Sequence, residues 1–130
     1  MNRSYAAYFT DWKNWEEFET QFDGLNGVYA FRLKMPFPRL KGESQIVYIG
    51  MCNQNSKKNK RPGLWHRLKN YRQNLFGGPR RLQLLSEHVG GNTQIEYSYV
   101  VCQNPREVEK ALLDDYFRQH LEIPPLNRAA

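Results

Sequence analysis

The spacing of apolar residues divides the chain into helical and extended segments. Trp15, Phe18 and Phe22 recur at i, i+3 and i+7 behind Thr10 or Asp11, either of which can cap a helix, so the first segment reads as helical. Asp23-Gly24 and Asn26-Gly27 break that pattern. From Val28 to Leu33 the period changes to two, with Tyr29, Phe31 and Leu33 on one face of a strand. Pro36, Pro38 and Gly42 mark a loop, and Ile46 to Met51 is a second strand, the antiparallel partner of the first. Leu64, Leu68, Tyr71 and Leu75 predict a helix that Gly77-Gly78 closes. Pro79 can open another, carrying Leu82, Leu85 and Val89 and ended by Gly90-Gly91. Ile95, Tyr97, Tyr99 and Val101 alternate within a third strand from Gln94 to Cys102. The last helix starts at Asn104, with Pro105 at its first position and Glu107 three residues on, and Pro124-Pro125 prevents its continuation.

These elements predict a small α/β (α+β) sandwich: a three-stranded antiparallel sheet flanked by helices. The 130 residues form one domain, 1–130, with 1–25 as an amino-terminal helical extension. No repeat or low-complexity stretch interrupts it. The start meets Asp11 and Lys13 before any long apolar run, so no signal peptide is expected. No run approaches membrane-spanning length. Cys52 and Cys102 form no CxxC pair, which favours reduced thiols in a cytoplasmic protein over a zinc site.

Charge adds a direction. The formal net charge of +6 and pI of about 9.4 point to a polyanionic partner, nucleic acid first and an anionic membrane surface second. Lys57, Lys58, Lys60 and Arg61 crowd one polar loop, and Lys69 and Arg72 follow on the next helix. The loop is either a solvated surface or a phosphate-contacting one.

Some residues fit a purely structural reading poorly. Gly27-Val28-Tyr29 and Tyr48-Ile49-Gly50 each put a glycine beside a tyrosine in a strand, where glycine often marks a close backbone or ligand approach. Arg67 borders the apolar stripe of its helix beside Tyr71, and either snorkels to water or looks along the sheet. On the last helix, with Val108 at zero, Leu112, Tyr116, Leu113 and Phe117 fall at about 40°, 80°, 140° and 180°, and Glu109 at about 100°. A carboxylate in that arc is costly unless paired or bound to metal. A buried salt bridge, with Arg67 as one partner, and a metal or catalytic site are equally open. His120, at about 120° on the same wheel, reads as a packed or hydrogen-bonded histidine. His66 and His88 read as surface residues, and Trp12, Trp15 and Trp65 as core. Asp114-Asp115 points away from the arc.

Gly27-Val28-Tyr29, Tyr48-Ile49-Gly50, Arg67 within Leu64 to Tyr71, Glu109 in a helix and then Pro124-Pro125-Leu126-Asn127 together resemble the GIY-YIG nuclease superfamily, in that order and spacing. The resemblance covers about residues 26 to 128. The Arg67 helix looks most like the amino-terminal nuclease module of the bacterial excision-repair endonuclease, which also carries a tyrosine one turn after its arginine.

The resemblance implies a DNA endonuclease that needs one divalent cation per site, Mg²⁺ or Mn²⁺. It implies that Tyr29 binds the attacking water or acts as its base, that Tyr48 assists near the scissile phosphate, and that Arg67 holds that phosphate. Glu109 would ligate the metal, Asn127 would support the site from the carboxyl end, and Gly27, Gly50 and Tyr71 would shape it. The chain departs from the pattern in three places. About nine extra residues lie between Tyr48 and Arg67, Met51 stands where a lysine often follows the second motif, and the longer spacing to Asn127 lets Asp115 align about as well as Glu109. DNA is the expected partner, with branched or damaged DNA as one form of it and a protein partner as one source of specificity. A non-cleaving nucleic-acid-binding module, or a subunit of a larger DNA-processing complex, is the alternative.

Overall fold

The computed structural model describes residues 4–18, 26–53, 63–73 and 77–127. In chain order the elements are α1 (Tyr5–Tyr8), β1 (Lys13–Asn14), β2 (Gly27–Pro38), β3 (Glu43–Cys52), α2 (Gly63–Gln73), α3 (Gly77–Val89), β4 (Ile95–Val101) and α4 (Pro105–His120). The strands form one antiparallel sheet in the order β1-β4-β2-β3. The α+β class is as expected, but the sheet has four strands and not three.

The fourth strand replaces the predicted first helix. Lys13 and Asn14 pair with Tyr97 and Glu96, and Trp15–Glu17 then makes a single 3₁₀ turn whose Glu16 amide donates to the Asn14 side chain. Trp15 and Phe18 do share a face, because residues three apart eclipse in a 3₁₀ turn. Their spacing is met in one turn, with both rings packed on Tyr97. Phe22, the third residue of the pattern, lies outside the described residues.

β2 is the central strand, and its alternation builds two cores. Val28 and Ala30 face Tyr5, Phe9, Ile46, Ile49, Leu112 and Tyr116. Tyr29 and Phe31 face Trp15, Val47, Cys52 and the α2 residues Leu64, Leu68 and Tyr71. α4 therefore covers one face of the sheet and α2 the other. A bulge keeps both faces in register: Phe31 pairs with Tyr48 but Arg32 with Ile46, so Val47 is the extra residue of β3.

β2 and β3 run past the expected strand limits. β2 continues through Pro36 and Pro38, where a loop was expected. Pairing with β4 stops at Leu33, so beyond that point β2 has a neighbour on one side only, where proline is tolerated. Gly77 and Gly78 open α3, where they were expected only to close the preceding helix.

The last helix buries a stripe at spacings of four, Leu112, Tyr116 and His120. His120 joins three segments: its Nδ1 donates to the Lys41 carbonyl at 2.8 Å, and its Nε2 meets the Tyr5 hydroxyl, which donates in turn to Ser44 Oγ. Leu121 ends α4 in a left-handed conformation, φ 61°. The chain then returns along the outer edge of β3. The Leu126 amide donates to the Val47 carbonyl, and the Asn127 side chain accepts from the Ile49 amide and donates to the Ile49 carbonyl. Among the described residues no helix is long and apolar enough to cross a membrane.

Gly27 is needed where β2, β4 and α2 meet. A Cβ there would collide with the Val100 carbonyl and come within 2.6 Å of Leu64 Cδ1. Because one obstacle is backbone, the strain cannot relax by a rotamer change. Gly27→Ala should cost about 1–3 kcal/mol or more, read as a lower denaturant midpoint. An unchanged midpoint would show that β4 is free to move away.

Candidate active site

The face of the sheet turned to α2 is organised by register. Along β3 the alternation puts Tyr48, Gly50 and Cys52 in one row. On β2, Tyr29 lies opposite Gly50, Phe31 opposite Tyr48 and Gly27 opposite Cys52. Tyr29 and Tyr48 both lean across Gly50. A Cβ at that position would come within 2.6 Å of the Tyr48 ring and 2.7 Å of the Tyr29 hydroxyl. The bare glycine is what allows two phenols to converge.

α2 contributes a third phenol and a cation. Leu64, Leu68 and Tyr71 recur at i, i+4 and i+7 and bury against the sheet, which sets Arg67 at the margin of the same face. The ring centroids of Tyr29, Tyr48 and Tyr71 form a triangle with sides of 6.0, 5.8 and 5.9 Å. The Tyr71 hydroxyl lies 3.2 Å from that of Tyr29. Tyr29 is 1% exposed and Tyr71 8%, whereas Tyr48 is half-buried. Tyr48 is thus the most solvent-accessible of the three.

Burial fixes the charge states. Desolvation, helped by Tyr71 and Tyr48, pushes the Tyr29 phenol well above its ordinary value, against the opposing pull of Arg67. Tyr71 is raised for the same first reason, with Tyr48 adding to it. Partial desolvation works against the charge on Arg67, but Tyr29, Cys52, Tyr71 and Tyr48 outweigh it and hold the guanidinium above its ordinary value. Burial keeps Tyr29, Tyr71 and Cys52 protonated near pH 7, and no ion pair among the described residues includes Arg67. The site is a cation on a bed of hydrogen-bonding groups that do not cancel its charge. Such a group binds an oxyanion by charge and by the fork of its N–H donors.

The other predicted residues fall elsewhere. Asn127 reaches the site through the backbone, clamping Ile49 between Tyr48 and Gly50. Glu109 is on α4, whose buried stripe packs on the opposite face of the sheet. It is half-buried, its carboxyl is raised by burial against the opposing effect of Arg106, and no described contact joins it to Arg67 or the tyrosines. The buried Glu109–Arg67 salt bridge is therefore not formed. Asp115 is engaged, accepting from the Tyr5 amide and the Gln119 side chain at 2.8 Å each. Asp114 pairs with Lys110 on the surface.

Among the described residues no group of three or more His, Cys, Asp or Glu could hold a metal ion. Lys57, Lys58, Lys60 and Arg61 lie outside the described residues, as does the side chain of Arg72, and Lys69 is half-buried on α2. Cys52 is the site residue that sequence reasoning missed. Its signal was present, since it continues the period-two row that begins with Tyr48 and Gly50.

The far face holds a cavity of about 260 Å³ lined by Tyr5, Trp12, Arg32 and Gln45. Several of its polar groups are already engaged. Arg32 pairs with Glu96 and stacks on Trp12, and Gln45 donates to the carbonyls of Leu33 and Lys34. No family model, curated protein or solved structure compared with this chain matches it.

The raised phenols have a measurable consequence. An acid whose pKa is higher folded than unfolded adds stability that is intact below its ordinary value, here 10.0, and is lost as pH rises through that value towards the folded one. Stability should therefore fall steeply above about pH 10, and Tyr71→Phe should lose less over that interval than the parent. Denaturant midpoints against pH read the slopes, and equal slopes would contradict the assignment.

Proposed function

We propose that the chain is a metal-dependent endonuclease of the GIY-YIG type that hydrolyses phosphodiester bonds in DNA. The observation that carries this reading is Arg67, a cation that no carboxylate among the described residues pairs, beside three converging phenols. A phosphodiester repels nucleophiles, and its non-bridging oxygens need fixed donors and positive charge before water can attack. Arg67 would hold those oxygens through its planar fork. Tyr48 would meet the incoming water first, because Tyr29 lies beneath it and Tyr71. Tyr29 would act by fixing the Tyr71 hydroxyl. With its pKa raised, it is a poor base near neutral pH and a good hydrogen-bond partner.

The donor fits a hard divalent cation in kind. Glu109 offers one half-buried carboxylate, and magnesium takes one or two carboxylates and completes its shell with water and phosphate oxygens. At the centre around Arg67 a divalent cation would stabilise charge on the leaving oxygen or lower the pKa of bound water, but Glu109, on the other face of the sheet, does not by itself bring one there. The position of α4 on the opposite face favours a second reading, a DNA-binding module or complex subunit that keeps the fold without cutting.

Plasmid and branched DNA with Mg²⁺ or Mn²⁺ separate the two. The nuclease reading expects cleavage that Arg67→Ala lowers about 100-fold or more, that Tyr48→Phe also lowers, and that Glu109→Gln abolishes. DNA binding without cleavage, insensitive to Glu109→Ala and weakened by neutralising Lys57, Lys58 and Lys60, would overturn it in favour of the binding module.

A further inference from the structure

The segment that returns along β3 is held by an arginine of α3. Arg81 donates from Nε and Nη2 to the Leu126 carbonyl, at 3.1 and 2.8 Å. The Leu126 amide in turn donates to the carbonyl of Val47, the residue before Tyr48. α3 lies on the α2 side of the sheet: its Leu82 is buried in the core that holds Tyr29 and Leu68, and Leu126 packs against that core. On α2, Leu64 packs at Gly27 and Tyr71 beside Tyr29 and Tyr48, with Arg67 one turn from each. Tyr48 is thus flanked by the Arg67 helix through Tyr71 and by Arg81 through Val47 and Leu126. We propose that Arg81 is a second phosphate-binding residue, which contacts a DNA backbone phosphate flanking the scissile one along the outer edge of β3. This rests on the reading of Arg67 as the group that holds the scissile phosphate.

Arg81 is oriented, charged and within reach of a ligand. A carbonyl occupies two of its N–H donors but removes none of its charge. Among the described residues Nη1 has no hydrogen-bond partner, and no ion pair includes Arg81. The first turn of α3 carries no acidic residue, and the first carboxylate along the helix is Glu87. The side chain is half-buried, so the guanidinium gives up part of its hydration without a counter-ion in return. A neutral amide would satisfy the Leu126 carbonyl equally well; arginine adds a charge and a planar fork. With one edge of that fork fixed, little rotamer freedom is left to lose when an oxyanion meets the other.

The test measures binding of the full chain to a short fluorescent DNA duplex over a series of salt concentrations, in EDTA so that cleavage plays no part. Arg81→Gln keeps an amide donor for the Leu126 carbonyl and removes the charge, and Arg81→Lys keeps the charge. Arg118→Gln, at an exposed position of α4 on the far face, controls for net charge. Denaturant midpoints control for a loosened return segment. Arg81→Gln should lower the slope of log K against log salt by about 0.9, the loss of one phosphate contact to duplex DNA. The loss should be the same for duplexes of different sequence, because a phosphate contact carries no sequence information. Arg81→Lys should restore most of the slope, and Arg118→Gln should leave it unchanged. If Arg67→Gln lowers the slope and Arg81→Gln does not, Arg81 only pins the return segment, and the reading of Arg67 stands. An equal fall for Arg118→Gln and Arg81→Gln would trace the effect to net charge and overturn the contact. If the parent does not bind the duplex, both readings fail.

Discussion

Two phenols can share the space above Gly50 only because that residue has no side chain. Tyr29 from β2 and Tyr48 from β3 meet there, and Tyr71 closes the triangle from α2. Gly27 has the complementary role at the neighbouring pair of the ladder, where Leu64 and the β4 backbone press against bare Cα. One glycine brings the helix down onto the sheet and the other leaves room for what the helix carries. Interiors are packed too tightly to absorb a methyl group at such points without movement. The register of β2 against β3 makes these two vacancies useful, since it puts Tyr29 opposite Gly50 and Cys52 opposite Gly27.

That geometry decides the electrostatics. Two of the phenols are buried, so they stay protonated, and the thiol beside them does too. Arg67 thus lies near protonated groups that do not neutralise it. Acidic residues of α4 lie on the other side of the sheet or are engaged with α1 and with their own helix. Segregating the carboxylates from the arginine keeps the cation available to a polyanion, in keeping with the net charge of +6.

Much of this was legible in the sequence, for identifiable reasons. Period-two alternation marked the cores of β2, β3 and β4, and the i, i+4, i+7 spacing marked α2. Each pattern reflects a segment with one buried face. What failed was the pattern whose physical demand could be met in more than one way. Trp15 and Phe18 needed to share a face, and a 3₁₀ turn did this as well as a helix, which freed Lys13 and Asn14 to pair as a fourth strand. On α4 the wheel drew too wide an arc: Phe117 is 52% exposed, and the buried stripe runs through Leu112, Tyr116 and His120. The wheel gave Glu109 the right side of its helix but could not say which face of the sheet that helix covers. Nor can a sequence rank Tyr29 against Tyr48 in exposure, because that depends on what α2 lays over them.

The central claim is that Arg67 and the phenols around Gly50 form a phosphodiester-binding surface. A crystal structure of the chain with a non-cleavable phosphorothioate DNA and Mn²⁺ tests it most directly. The account predicts a backbone phosphate with an oxygen about 3 Å from the Arg67 guanidinium and the Tyr48 hydroxyl facing that phosphate. DNA bound across α4 or the far face of the sheet, with Arg67 left in solvent, would contradict it.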